Sequence, residues 1–437
     1  MGKYKRYERY KDSGVEWIGE VPVGWEIKKL KYIGEAIIGL TYSPSDITDE
    51  VGTLVLRSSN IQDTKIVFND NVYVGLEIPN RLRTKEGDII ICSRSGSREL
   101  IGKNAYIEKE NAGLSFGAFM TIFRSKYNRY LRYVFNSTMF KNQSASFLTS
   151  TINQITVNNL YSFLVPIPPL KEQTQIANFL EQKTSEIDAL VADKEKLIIL
   201  LEEKRQAIIT EAVTKGLDPN VKMKDSGVEW IGEVPEHWEI QPLFTLFEES
   251  KIKNIGNKEH NVLSLSYGKI VRRDVEANFG LLPESFETYQ IVDKGNIVLR
   301  LTDLQNDKRS LRCGLVKEKG IITSAYVALK ATCDIKEVYS YYLLYGYDLF
   351  KVFYGFGNGV RQSMGFVELK RMPILLPPIE EQIQIANFLE QKTSEIDALN
   401  NEIRLQIQKL KEYRQSLISE AVTGKIDLRD KAGRFDD

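Results

Sequence analysis

Only 2 histidines and 3 cysteines occur among 437 residues. Cys92, Cys313 and Cys333 are scattered and odd in number, which fits a reducing cytoplasm. No group of Cys and His has metal-ligand spacing, so a metal centre is not expected. No apolar run approaches the roughly 18 residues of a membrane span. The basic start MGKYKRYERYK has no apolar stretch behind it and does not read as a secretory signal. Catalytic signatures are missing as well. GSRELIGKN at 96–104 imitates a phosphate-binding loop but has the wrong spacing between its glycines, and Asn rather than Ser or Thr after Lys. A loop so misspaced would not aim its amides at phosphates. No GxGxxG follows a strand, and the Asp/Asn-Pro-Pro-Tyr/Phe sequence of an amino-methyltransferase is absent. No nucleophile, base and orienting group assemble into a set. Charge of one sign is also lacking: 59 basic side chains balance 59 acidic ones.

What is present is repetition. KDSGVEWIGEVP stands at 11–22 and again at 224–235; IANFLEQKTSEIDAL stands at 176–190 and again at 385–399. Each half runs short motif, variable stretch, long helix. Such a frame, used twice with two different inserts, suggests two different binding surfaces in related orientations. The variable stretches, 26–165 and 239–374, share only a weak pattern. TKEGDIIICSR at 84–94 aligns loosely with VDKGNIVLRLT at 292–302, each a glycine turn followed by a buried strand. Constant flanks around divergent centres imply one constant partner for the frame and different targets for the centres.

The prolines at 166, 168, 169, 377 and 378 block any earlier helix and suit a first turn. Beyond them, apolar residues recur at spacings of three and four. They are Ile176, Leu180, Ile187, Leu190, Leu197, Leu201 and Ile208, then Ile385, Leu389, Ile396, Leu399, Ile403, Leu410 and Leu417. Lys183, Lys194, Lys204, Lys392 and Gln406 interrupt this register. A helix of about 40 residues, roughly 60 Å long, needs a partner of similar length to cover its stripe. The other long helix is the expected one, in an antiparallel intramolecular coiled coil; the alternative is two separate helices, each packed on its own globular part. All four tryptophans (Trp17, Trp25, Trp230 and Trp238) lie in or just after the repeated motif and are expected to pack it onto the far end of the opposite helix.

The variable stretches carry a modest basic excess, 17 Lys/Arg against 13 Asp/Glu in 26–165 and 19 against 16 in 239–374. Selected basic faces can bind phosphate despite a neutral total, although ordinary surface has the same composition. Residues 129–145 and 338–354 read as helices whose aromatic stripe belongs to a core. The residue types that read base edges and hold phosphates cluster in polar turns. In the first stretch these are Thr41, Tyr42, Ser43, Arg57, Asn60, Arg94, Ser95, Ser97, Arg98, Thr151, Asn153 and Gln154. In the second they are Tyr267, Arg272, Arg300, Thr302, Asn306, Lys308, Arg309, Arg312, Asn358, Arg361, Gln362 and Ser363. Turn chemistry uses Ser, Asn and Gly too, so no single turn decides.

Two repeats ending in GEVP before a Trp, two divergent units, and two helices opening PPLKEQTQIANFL (168–180) and PPIEEQIQIANFL (377–389) resemble the specificity subunit of type I restriction–modification enzymes. The resemblance covers essentially the whole chain. It implies an α+β architecture of two globular α/β target recognition domains joined by two long antiparallel helices with a pseudo-twofold repeat. The expected boundaries are 1–165 (motif at 11–25), 166–223, 224–374 (motif at 224–238) and 375–437. It also implies a cytoplasmic, non-catalytic DNA-binding subunit. Each domain would read one half of a split, asymmetric site in double-stranded DNA, and the helices would set the unread spacer. Two methyltransferase subunits would dock on the frame and restriction subunits would join them; S-adenosylmethionine, ATP and magnesium would belong to those partners, with no cofactor or metal in this chain. A protein-binding coiled-coil scaffold with two interaction domains is the alternative.

Overall fold

The computed structural model describes residues 4–148, 153–274, 285–304, 311–356 and 363–429. It divides into two compact units, Met1–Lys194 with Leu405–Asp437, and Glu195–Arg404. Each long helix contributes to both: Leu170–Lys215 and Ile379–Val422 change units within their length.

Each unit contains a four-stranded sheet with the same strand order. In the first, a four-stranded antiparallel sheet has the order Asn104–Tyr106, Ile89–Cys92, Met120–Arg124, Glu35–Ile38. In the second the order is Cys313–Leu315, Ile297–Leu299, Val327–Ala331, Phe247–Ser250. The central strands sit opposite one another at Ile90 and Ile122, and at Val298 and Ala328. Ile89–Cys92 and Ile297–Leu299 are buried throughout, as continuous β-branched runs covered on both faces are. The glycine turns before them are real: Gly87 and Gly295 have φ of +88° and +93°, a backbone conformation glycine enters without a Cβ penalty. The expected helix at 129–145 is instead two, Asn128–Val134 and Thr138–Ser146. Ser137 breaks it by capping the second, its Oγ accepting from the Phe140 amide. The other expected helix runs Glu337–Leu349, with a short turn at Phe353–Phe356.

Both long helices begin in the same way. A strand, Leu164–Ile167 or Pro373–Leu376, pairs antiparallel with Glu26–Lys29 or Glu239–Pro242 and leads into the Pro-Pro pair. Gln173 and Gln382 then fold back and donate from Nε2 to the Pro168 and Pro377 carbonyls at 2.8 and 2.9 Å. The preceding glutamates take an indole: Trp25 Nε1 donates to Glu172 at 3.0 Å, and Trp238 Nε1 to Glu381 at 2.9 Å. Both tryptophans are buried, a gain of roughly 4–6 kcal/mol each as an upper figure. Pro22 and Trp25 lie against Gly424, just past the end of one helix, and Trp238 against Gly216, just past the other. Two of the four tryptophans therefore pack as expected. Trp230 stacks edge-on against Tyr347, and Trp17 stays 40% exposed. Glu381→Ala should cost the second unit about 1–3 kcal/mol by leaving a buried indole N–H without its acceptor. Glu381→Gln, which keeps an oxygen there, should recover most of it; urea titration followed by tryptophan fluorescence distinguishes the two.

Within each unit the helices pair antiparallel. In the first, Arg414 bonds Asp188 and Lys194 bonds Gln406; in the second, Arg205 bonds Asp397 and Glu202 accepts from Asn400. Rising numbers on one helix meet falling numbers on the other. The seam departs from the expected register. Leu190, Leu197 and Leu399 are half exposed, while Val191 and Ile407, outside that register, are buried; Ile403 is buried as expected. Lys194 and Gln406 do not interrupt packing; they bond each other at 2.6 Å. Polar pairs at seam positions fix register at some cost in stability. No helix among the described residues is long and apolar enough to cross a membrane.

Candidate nucleic-acid interface

In the first unit, the segment 116–120 is the hub of the polar turns. Leu40 donates to the Phe116 carbonyl at 2.7 Å and leads into Thr41, Tyr42 and Ser43. Gly117 donates to the Leu56 carbonyl at 3.0 Å, immediately before Arg57. The Phe119 carbonyl accepts three bonds, from the Ser93 and Arg94 amides at 3.0 and 3.1 Å and from Ser93 Oγ at 3.0 Å. On the other side of the 93–97 turn, Ile155 donates to the Ser93 carbonyl, Ser95 to the Asn153 carbonyl, and Asn153 Nδ2 to the Gly96 carbonyl. Arg94 and Gln154 form an antiparallel bridge. Turns far apart in sequence thus lie side by side because the buried strands beneath them do.

Thr41, Ser43, Arg94, Ser97 and Arg98 are exposed, and Tyr42, Arg57, Ser95, Asn153 and Gln154 half-buried. Ser43 closes a tight turn on Asp46, which holds that carboxyl below its usual range. Arg57 is paired with Asp70 at 2.7 Å on the surface, a pair of little net strength that a phosphate could replace. Arg98 borders a groove of about 440 Å³ with Lys103 and Lys141. Beneath the hub, burial pushes the Cys92 thiol up to about 11, so it is no nucleophile at neutral pH.

Asn60 is a correction. It is fully buried, its oxygen accepting from the Arg57 amide at 3.0 Å and its Nδ2 donating to the Val67 carbonyl at 3.1 Å and to Asn71 at 3.2 Å. It builds the Arg57 turn and does not face a ligand.

In the second unit the corresponding strand ends at Leu299, and Arg300 and Thr302 follow it half-buried. Met364 donates to the Leu301 carbonyl, which brings exposed Ser363 alongside. Arg312 is the second correction. It is fully buried, and its Nη1 donates to the Thr302 carbonyl at 2.7 Å, so the guanidinium shapes the loop from inside. Tyr267 and Gly268 turn the hairpin between Leu263–Ser266 and Lys269–Arg272, with φ of +46° and +75°. Tyr267 is 84% exposed, an uncommon backbone state for an aromatic residue. Arg272 bonds Glu318, whose carboxyl that bond holds below its usual range. Thr151, Asn306, Lys308, Arg309, Asn358, Arg361 and Gln362 lie outside the described residues.

The residue that sequence reasoning missed is Phe119, 56% exposed between buried Phe116 and Met120, with the Arg94 guanidinium 5.1 Å from its ring centre. The only signal was the Gly-Ala pair before it, which interrupts an otherwise apolar stretch. No group of three or more potential metal ligands occurs among the described residues.

The type I restriction modification DNA specificity domain model matches residues 22–198 and 316–409. A type I restriction enzyme specificity subunit of Methanocaldococcus jannaschii, MjaX, is 27% identical, with 94% of this chain and 96% of that one aligned. The EcoKI specificity subunit of Escherichia coli is 23% identical, covering 95% and 92%. Among solved structures, a chain from work on complex assembly and conformational transition of the type I R-M system superposes with a TM-score of 0.67 at 17% identity, over 93% of this chain and 99% of its own. The HsdS subunit of Thermoanaerobacter tengcongensis gives 0.51 at 18% identity, over 93% and 98%. With this fold, this frame and a family match spanning both halves, the chain belongs to the type I restriction modification DNA specificity domain family.

Proposed function

We propose that this chain, a DNA sequence-specificity subunit of a type I restriction–modification enzyme, reads a two-part asymmetric site in double-stranded DNA, one part with each unit. The observation that carries this is the shared strand order beneath unlike polar turns. One scaffold presenting two different sets of Arg, Asn, Gln, Ser and Thr side chains suits two different base sequences. The long helices, built alike in both halves, are the surface on which two methyltransferase subunits dock, and their length sets the unread spacer between half-sites. Methyl transfer from S-adenosylmethionine, and cleavage driven by ATP with magnesium, reside in the methyltransferase and restriction partners. This chain contributes recognition and works in the cytoplasm beside the DNA.

Exchange of residues 239–374 for the matching stretch of another specificity subunit tests the reading. Methylated sites are mapped in cells that express the exchanged chain with its methyltransferase. One half-site should change completely and the other stay as it was. If both halves change together, or neither does, the units do not read DNA independently.

A further inference from the structure

Arg94 differs from three other arginines of the first unit. Arg57, Arg81 and Arg124 are each paired with a carboxylate, from Asp70, Glu35 and Asp88. The Arg94 side chain lies over the ring of Phe119 instead, in a cation–π contact, and is ion-paired with no carboxylate among the described residues. Both residues are anchored at one point, since the Phe119 carbonyl accepts from the Ser93 and Arg94 amides and from the Ser93 hydroxyl. The ring is fixed in place yet 56% exposed, with Phe116 and Met120 buried on either side of it in sequence. The backbone that fixes the ring thus leaves it half in water with a cation laid on its face.

We propose that Arg94 and Phe119 form a preassembled reader of one guanine in the half-site bound by the first unit; this rests on the DNA reading above. A guanidinium stacked on an aromatic face keeps all of its in-plane N–H donors. Its planar fork matches the two acceptors that guanine presents in the major groove, a geometry that the point-charge ammonium of lysine matches less well. Stacking also restricts the side chain before DNA arrives, so less rotamer freedom is lost on binding. Exposed Ser97 and half-buried Asn153 and Gln154 border the pair and offer further hydrogen-bonding groups to the adjacent base pairs.

The test uses the full chain assembled with its methyltransferase subunits. Methylated sites are mapped for Arg94→Lys, Arg94→Ala, Phe119→Leu and Phe119→Ala, and binding is measured on duplexes altered at single positions. Preference for guanine at one position of the first half-site should fall about tenfold or more in both Arg94 variants. The same position should relax about two- to fivefold in Phe119→Leu, which keeps apolar bulk but removes the π face. The second half-site should not change, and thermal midpoints should match the parent because both side chains are at the surface. A first half-site without guanine overturns the proposal. So does an Arg94→Lys variant with full preference, combined with an Arg94→Ala variant that binds all duplexes uniformly less well with a shallower salt dependence, since Arg94 would then clamp a phosphate. If all four variants keep the parental half-site while exchange of residues 26–165 replaces it, this pair is not the reader and the DNA reading stands. If that exchange changes nothing, the DNA reading itself falls.

Discussion

Arg312→Ala should destabilise the second unit by about 3–5 kcal/mol and abolish recognition of its half-site. An arginine this deeply buried is rare unless its donors are satisfied. Here the guanidinium supports the loop leaving the central strand, with Nη1 2.7 Å from the Thr302 carbonyl and weaker contacts at 3.4 Å to the Arg300 and Asp303 carbonyls. Its backbone amide donates to the buried carboxylate of Asp348 on the neighbouring helix. Truncation strands loop carbonyls at about 1–3 kcal/mol each and leaves a void where the stem was. Arg312→Met refills much of that void but supplies no donor, so it should retain the larger part of the loss. Urea unfolding gives the stability, and methylation mapping gives the specificity. An Arg312→Ala chain with the parental midpoint but an altered half-site would mean that this side chain contacts DNA after all, against its burial.

Arg312 also marks where the sequence stopped being informative. Its residue type and its polar surroundings fit a DNA contact, and so did those of Asn60. Turn composition records which side chains can make hydrogen bonds, not whether the partner is a ligand or the loop's own backbone. The opposite error hid Phe119: in FGAFMTIFR an exposed ring has the same letter as a buried one, and only the pairing of 116–120 with three other segments turns it outward. The frame was legible because its signals are local. Prolines stop a chain, three-and-four spacing marks a helix, and a glycine before a β-branched run marks a turn and a buried strand. The strand order was not legible, because it depends on pairing between segments from 13 to 89 residues apart. The helix seam was legible only in part. Leucines at 190, 197 and 399 continued the expected register, but the seam at those levels runs through Val191 and through hydrogen-bonded polar pairs. Apolar spacing alone does not reveal a polar seam.

Gly424→Ala should be much more damaging than Gly216→Ala, although both glycines lie just past the ends of their helices. Both have positive φ, +71° and +75°, so an alanine in either position meets a left-handed backbone penalty of roughly 1–2 kcal/mol. The surroundings then separate them. A Cβ on Gly216 would lie 3.3 Å from the Trp238 ring and 3.9 Å from Pro235, contacts that a small shift relieves. A Cβ on Gly424 would lie 2.2 and 2.6 Å from two ring carbons of Pro22, and 3.3 Å from Trp25. The Pro22 ring is tied to its own backbone and cannot rotate away, and Pro22 ends the second strand of the repeated hairpin. Relief therefore requires moving the hairpin off the helix end. That also strains the bond from the Tyr10 hydroxyl to the Gly424 carbonyl at 3.0 Å, and the one from Lys425 to the Glu20 carbonyl at 2.6 Å. Overpacking of this kind adds about 1–3 kcal/mol to the shared backbone term. Gly216→Ala should thus lose about 1–2 kcal/mol and Gly424→Ala about 2–5 kcal/mol, read from denaturant midpoints of the two variants beside the parent. Equal losses would mean that the Pro22 contact yields freely, and that the hairpin of the first unit is not locked against its helix end.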